Sequence, residues 1–448
     1  MAYFKSLDSR DLTDKSNTQQ AKLFTQIGQI YLARLRYADA TDSFTAAFNR
    51  TAGLAKRHPL DGEMLYERAQ AEYWIGYVPY LQGKYAETDP WWVRYRDSGV
   101  ALAGLDPKNP KWQREAVLGF HNLAALELKR GNLAAARLGF LGEQEAHEKL
   151  QAMLPDDSEL QVSIANVDSY LGSIAERAGD LKEAVARFGA QVARLESQVK
   201  ADRLSARMKQ RLATALGLQS DVTAVAGQVP AALEERRRSL EILRALTVLD
   251  GASGEWKAAA LNAQIKYALL LRAQGDTAAA DRIVQECWPA VESLAKNASP
   301  DRRISVTLAT VWRLEAQRRE GAGEPGHAEA MTKALAAGTS IVALDQADES
   351  GMSVYATTCV VAGVMAGRAG DTAAARRHWQ AVLQTVEPRL GETKHWRLLD
   401  PAVRALALLG RTDESRALIA RLDRLGFQPL EPWPDAPARE NLSAQPKR

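Results

Sequence analysis

The chain has 448 residues, 58 Lys and Arg against 55 Asp and Glu, a formal charge of +3, 46% hydrophobic residues and two cysteines. This balance excludes a disulfide scaffold and an acidic disordered chain, and it gives no support to a basic nucleic-acid surface, so no nucleic-acid partner is expected. Neither a signal peptide nor a run near the ~20 apolar residues of a membrane span is read, so a cytoplasmic protein with no membrane contact and with buried free thiols at Cys287 and Cys359 is expected.

Residues 1–19 are polar, with Asp8, Asp11 and Asp14 near helix starts, and are expected to form an N-terminal capping segment. From 20 to 425 a 48-residue period governs the chain. Small residues recur at Gly28, Gly76, Ala124, Gly172, Ser220, Ala268 and Ala316. Seven positions on come Leu35, Gly83, Gly131, Gly179, Gly227, Gly275 and Gly323. A fixed period of this size marks a solenoid.

Each unit reads as two helices and a tight turn, and the fourth shows every part. Tyr170, Leu171, Ile174 and Ala175 have helical rather than alternating spacing. Gly179 suits the left-handed position that closes a helix, and Asp180 is placed to cap the next one, with Glu183 completing a capping-box-like pattern. A small residue at the crossing lets the paired helices approach. A large apolar residue opposite it (Phe44, Trp92, Phe140, Phe188, Val284, Trp379) fills the space between hairpins. His58-Pro59, Asp106-Pro107 and Leu154-Pro155 end the preceding helices; later junctions use Asp250-Gly251, Ser299-Pro300 and Asp345 to Gly351. In the second unit Pro79 is expected to kink the first helix, and Pro90 to restart the second one late. Residues 426–448, with Pro429, Pro432, Pro434, Pro437 and Pro446, read as a Pro-rich, partly disordered tail that Phe427, Leu430 and Trp433 could fold back onto the last helix.

These residues resemble the tetratricopeptide repeat. Phe24, Ile27, Gly28, Tyr31, Ala40, Phe44 and Ala47 carry the resemblance in the first unit, Leu123, Ala124, Leu133, Ala136 and Phe140 in the third, and Leu171, Gly172, Ala175, Ala184 and Phe188 in the fourth. The departure is length, because that family's usual repeat is about 34 residues. The resemblance implies an all-α solenoid of about eight or nine tetratricopeptide-like hairpins in a right-handed superhelix. It also implies that the first helix of each pair lines a concave face.

No CxxC, HExxH, phosphate-binding glycine loop or nucleophile elbow occurs, and the six histidines form no ligand pair at helical spacing. Neither a metal nor a cofactor is expected, and acidic clusters such as Asp156-Asp157 read as helix caps. Arg236-Arg237-Arg238 after Glu234-Glu235 reads as a solvated helix face. The exception to uniformity is the second unit, with nine aromatic residues between 66 and 95. Counted from the crossing, its groove positions are Tyr73, Tyr77 and Tyr80, one helical stripe. His121 continues the stripe in the third unit and Asn166, Ser169 and Ser173 in the fourth. The readings left open for the tyrosines are groove lining, core filling and incidental exposure. The Lys and Asn that clamp a peptide carboxylate in related arrays are missing: the comparable places hold Thr25, Gln29, Tyr73, Tyr77, His121 and Ala125. The functional expectation is a non-enzymatic scaffold that binds a protein or peptide in its groove, as the sensing arm of a bacterial signalling system. The alternatives are a self-assembling structural element and a helical enzyme with a small-molecule site.

Overall fold

The computed structural model describes residues 13–34, 36–251, 253–296, 302–344, 348–391 and 393–434. Asp8, Asp11, Ser299-Pro300, Asp345, Pro437 and Pro446 lie outside the described residues. Among the described residues there are eighteen helices and no strand. They pair into nine hairpins: α1 (Asp14–Ala33) with α2 (Tyr37–Arg57), α3 (Gly62–Leu81) with α4 (Tyr85–Leu105), α5 (Pro110–Arg130) with α6 (Leu133–Met153), α7 (Ser158–Arg177) with α8 (Leu181–Ala201), α9 (Ala206–Val225) with α10 (Val229–Leu249), α11 (Gly254–Ala273) with α12 (Thr277–Lys296), α13 (Arg302–Ala322) with α14 (His327–Leu344), α15 (Glu349–Arg368) with α16 (Thr372–Leu390), and α17 (Trp396–Leu408) with α18 (Thr412–Arg424).

The period is visible in the caps. Side chains of Thr13, Asp61, Asn109, Asp157, Ser205 and Ser253, each 48 residues after the last, accept from the first-turn amides of α1, α3, α5, α7, α9 and α11. At the turn inside each hairpin Gly83, Gly131, Gly179, Gly227, Gly275, Gly323 and Gly370 all have φ between 67° and 97°. The following amide reaches back to close the helix, as Asp180 N–H does to Ala175 O at 2.8 Å. Crossings are as tight as the small residues require. A Cβ on Gly28 would stand 2.4 Å from Phe44, and one on Gly363 would stand 2.2 Å from Trp379.

Three local expectations change. Residues 14–19 belong to α1, which starts at its Thr13 cap rather than after a separate segment. Pro90 does not delay α4, which starts at Tyr85 and runs through it. Pro79 sits in the last turn of α3, where its carbonyl accepts from Lys84 N–H in the closing turn at 2.9 Å.

The chain divides into two compact units, residues 1–174 and 175–448. In the first, hairpins pack through a ladder of aromatic contacts: Phe44 stacks on Trp74 at 5.6 Å and Phe140 on Tyr170 at 4.5 Å. Two of the carboxylates buried there each accept two hydrogen bonds. Glu72 accepts from Arg68 Nε (2.9 Å) and Ser98 Oγ (2.7 Å), and Glu115 accepts from Gln70 (2.9 Å) and Tyr95 (2.7 Å).

In the second unit the last elements return to the first. Leu399, Val403, Leu422, Phe427 and Trp433 pack against Leu181 and Val225, and Gln428 N–H donates to Val225 O at 2.7 Å. Glu176 accepts from Trp396 Nε1 (3.0 Å) and Arg397 Nε (2.9 Å). Glu349 accepts from Arg177 Nε (3.1 Å) and lies 2.8 Å from His395 Nδ1. This array is closed by its own ends, where an open hollow was expected. Residues 427–433 form an ordered part of the closure: Phe427 and Trp433 are buried. Burial opposes ionisation of Glu176, but Arg397 and His395 overcome it and bring the pKa down to about 2. α15 is the one described helix long and apolar enough to cross a membrane, an exception to the sequence expectation. Half of its apolar window is buried, with Met352, Ala356, Cys359 and Val360 in the core. Cys287 and Cys359 are free and buried, and burial pushes their thiols up to about 12 and about 11.

Candidate functional site

Residues four and three apart on a helix share a face, and on α3 this puts Tyr73, Tyr77 and Tyr80 in one row. Tyr73 and Tyr77 centroids are 5.5 Å apart and those of Tyr77 and Tyr80 6.2 Å apart, with interplanar angles of 22° and 21°. Trp92 of α4 backs the row, 6.2 Å from Tyr73 and 4.8 Å from Tyr80. Its Nε1 donates to Tyr73 O at 3.2 Å. Trp92 is buried, whereas the three tyrosines are half-buried. Their hydroxyls make no hydrogen bond to any described residue. Burial, with the neighbouring phenols, pushes Tyr73 up to about 12 and Tyr80 upward, so both stay neutral donors.

His121 of α5 is less free. Its Nδ1 lies 3.0 and 3.2 Å from the two oxygens of Glu143, which also lies 3.2 Å from His147 Nε2. Burial works against the charge on Glu143, but the two imidazoles hold its carboxyl below the ordinary value. The His121 ring packs edge-on against Tyr170 at 5.4 Å and Phe140 at 5.7 Å. Asn166, Ser169 and Ser173 on α7 are partly buried. The structure therefore brings the tyrosines together in one ring stack and seats His121 on a separate one.

Sequence reasoning missed a second site. The closure of the second unit borders a half-open cavity of about 960 Å3 walled by α9, α10, α11, α12, α13, α15, α17 and Phe427, Leu430 and Glu431. Asp221 on α9 accepts from Arg236 Nη2 (2.6 Å) and Lys266 Nζ (3.4 Å), with Arg397 Nη2 at 3.7 Å. Burial resists its ionisation, yet Lys266, Arg236 and Arg397 hold its carboxyl far below the carboxylate range.

Arg236 corrects the reading of a solvated run. Arg237 is exposed and pairs with Glu234 and Glu241, but Arg236 is 5% exposed and turns inward. The period explains this, because 236 holds the place of Phe44, Trp92, Phe140 and Phe188. Arg236 Nη2 also donates to Gly217 O, and a Cβ at Gly217 would stand 2.8 Å from Arg236 Nη1. Glycine is required there to admit a guanidinium. The signal that could have found the cavity is the same register. Asp221 lies on the line of Tyr77 and Ser173, and Arg313 lies five periods beyond Tyr73.

No family model matches the chain, and no curated protein matches it. Solved structures do. BtubC (BKLC) from P. vanneervenii is 14% identical over 58% of this chain and 92% of its own, with TM-score 0.43. A tetratricopeptide repeat protein from Parabacteroides merdae is 12% identical over 76% and 99%, with TM-score 0.41. The human IFIT1 dimer with m7Gppp-AAAA is 12% identical over 90% and 90%, with TM-score 0.39. The likeness is one of fold. By its paired helices, left-handed turn glycines and close small-residue crossings, the chain is a tetratricopeptide-like helical-repeat protein.

Proposed function

We propose that this chain is a non-enzymatic recognition scaffold that takes an extended peptide segment of a protein partner along the Tyr73–Tyr77–Tyr80 row. The supporting observation is a stack of three half-buried rings with hydroxyls that no described residue engages. Tyrosine suits such a surface because it offers a large apolar ring, a polar tip and few rotors to freeze. Trp92 fixes the row before a partner arrives, so little ordering cost falls on binding. In the finer form of this proposal the scaffold is the cytoplasmic sensing arm of a bacterial signalling system, and the bound protein carries the output.

The test is a peptide-display selection against the full chain, followed by affinity measurement with a triple Tyr73→Ala, Tyr77→Ala, Tyr80→Ala variant whose helicity is checked by circular dichroism. Selected peptides should bind the variant about tenfold or more weakly, the loss expected when hot-spot aromatics are truncated. Equal affinity for a folded variant sinks the proposal. Stacking rings also accept bases, so an RNA oligonucleotide that binds the row and is not displaced by peptide would replace this reading with another.

A further inference from the structure

The second unit's cavity holds a charge arrangement that its own residues do not complete. Arg313, on α13, lines it. This guanidinium forms no hydrogen bond or ion pair with any described residue, and its Nε is wholly shielded. The side chain as a whole is partly accessible, so its charge is only partly removed from water, and that shielding without a partner is costly and pushes the Arg313 pKa down. Glu431, an exposed residue of the 427–431 wall, is the carboxylate whose field reaches Arg313, while Arg272 and Arg404 add positive charge to the same place. Neither of those arginines is unpaired. Arg272 holds Asp281 at 3.2 Å, and Arg404 holds Asp400 at 3.1 Å and the carbonyls of Glu431 and Pro432.

Elsewhere on the wall the balance tilts the same way. Arg236, Lys266 and Arg397 converge on Asp221, and Arg397 also holds Glu176. Over the whole wall five cations (Arg236, Lys266, Arg313, Arg397 and Arg404) face four carboxylates (Asp221, Glu255, Asp400 and Glu431), an excess of one positive charge. The remaining wall is apolar where Leu269, Val306, Val354 and Val361, all partly accessible, line the space. A volume of about 960 Å3 lies at the upper end of small-molecule sites, which run ~300–1,000 Å3.

We propose that this cavity binds a small organic anion, up to nucleotide size, whose carboxylate or phosphate group is received by the Arg313 guanidinium while its body lies on the valine and leucine wall. A guanidinium presents a planar fork that matches both oxyanions in bidentate fashion. The closing segment 427–431 forms one wall, so an occupied cavity and a closed array support each other. This site is independent of the tyrosine row in the first unit.

The experiment follows thermal unfolding of the full chain with citrate, inorganic phosphate and AMP, each against sodium chloride of equal ionic strength. At least one of the three should raise the midpoint by about 3 °C or more above chloride. The citrate and phosphate arms separate a carboxylate ligand from a phosphate ligand. Arg313→Met should lose that shift, and its ligand-free midpoint should equal or exceed that of the parent, because an unpaired, partly shielded charge has been removed. The exposed Arg237→Gln should keep the shift. No rise above chloride with any probe overturns the proposal, as does a full shift in Arg313→Met. Should Arg313→Met not fold, Arg313→Lys, which keeps the charge without the fork, is read in its place. It must weaken binding of the active probe about tenfold in calorimetry, and undiminished binding overturns the assignment.

Discussion

Two units built on one register differ in what they admit at the same position. In the first, Phe44, Trp92 and Phe140 fill the space at the helix crossing with rings, and neighbouring tyrosines stack on that filling. In the second, Phe188 and Val284 still fill it with apolar groups, but between them the position is held by Arg236, and what surrounds Arg236 is a charged cavity rather than a ring stack. The backbone repeats because caps, turn glycines and crossings repeat, whereas the side chain at the crossing is free to be apolar or ionic. The repeat thus sets where a group stands, and its chemistry is decided unit by unit.

This comparison can be broken by substitution. The largest effect is expected from Phe140→Ala, which empties a fully buried crossing and should lower stability by about 3–5 kcal/mol in denaturant unfolding. A loss below ~1 kcal/mol would mean that the rings are not what holds the first unit together. Next comes Asp221→Ala, which leaves Arg236 and Lys266 without their shared carboxylate. It should cost about 2–4 kcal/mol, less than a sealed pair would, because 24% of the Asp221 side chain stays accessible. A neutral or stabilising outcome would show that the cations are tolerated alone.

Acid titration sharpens the contrast. Glu176, brought down from the ordinary 4.5 to about 2, contributes stability that is present above pH 4.5 and lost as pH falls from there toward 2. Glu235 works in the other direction. Burial, acting against a bond from Thr223, raises it to about 7, so its contribution is lost as pH rises from 4.5 through 7. Glu235→Gln should therefore raise the melting midpoint at pH 8 and leave it nearly unchanged at pH 5; equal shifts at both values would contradict this. A smaller effect, about 1 kcal/mol, is expected from Gly131→Ala, since φ there is 81°. Smallest is Arg237→Ala, one residue from Arg236, which should leave the unfolding midpoint where it was because its partners are exposed.

Most of the fold was legible in the residues. Gly83, Gly131 and Gly179 announced left-handed turns, Asp180 announced a cap, and the proximity of Gly28 to Phe44 followed from the need for close crossings. The tyrosine row was legible too, since spacings of four and three on one helix require it. The cavity was not read, for two reasons. The contacts that close it join residues far apart in the chain, such as Glu176 and Arg397, and a period describes neighbours rather than ends that meet. Arg236 was judged by its charged neighbours in sequence, when its place in the 48-residue register was the better guide. Counting that register onward from Ser173 leads to Asp221, and from Tyr73 it leads to Arg313.

The return of residues 427–433 onto Val225 and Leu399 bears on how the molecule behaves among its own copies. A stacked array normally ends in a greasy helix face on which another molecule can continue the stack. Here Phe427 and Trp433 cover Leu399, Leu422 and Val225, so these apolar residues are withheld from a second copy. A version cut after Leu425 should lay bare Leu399, Leu422 and Val225 and turn a discrete particle into one that clumps.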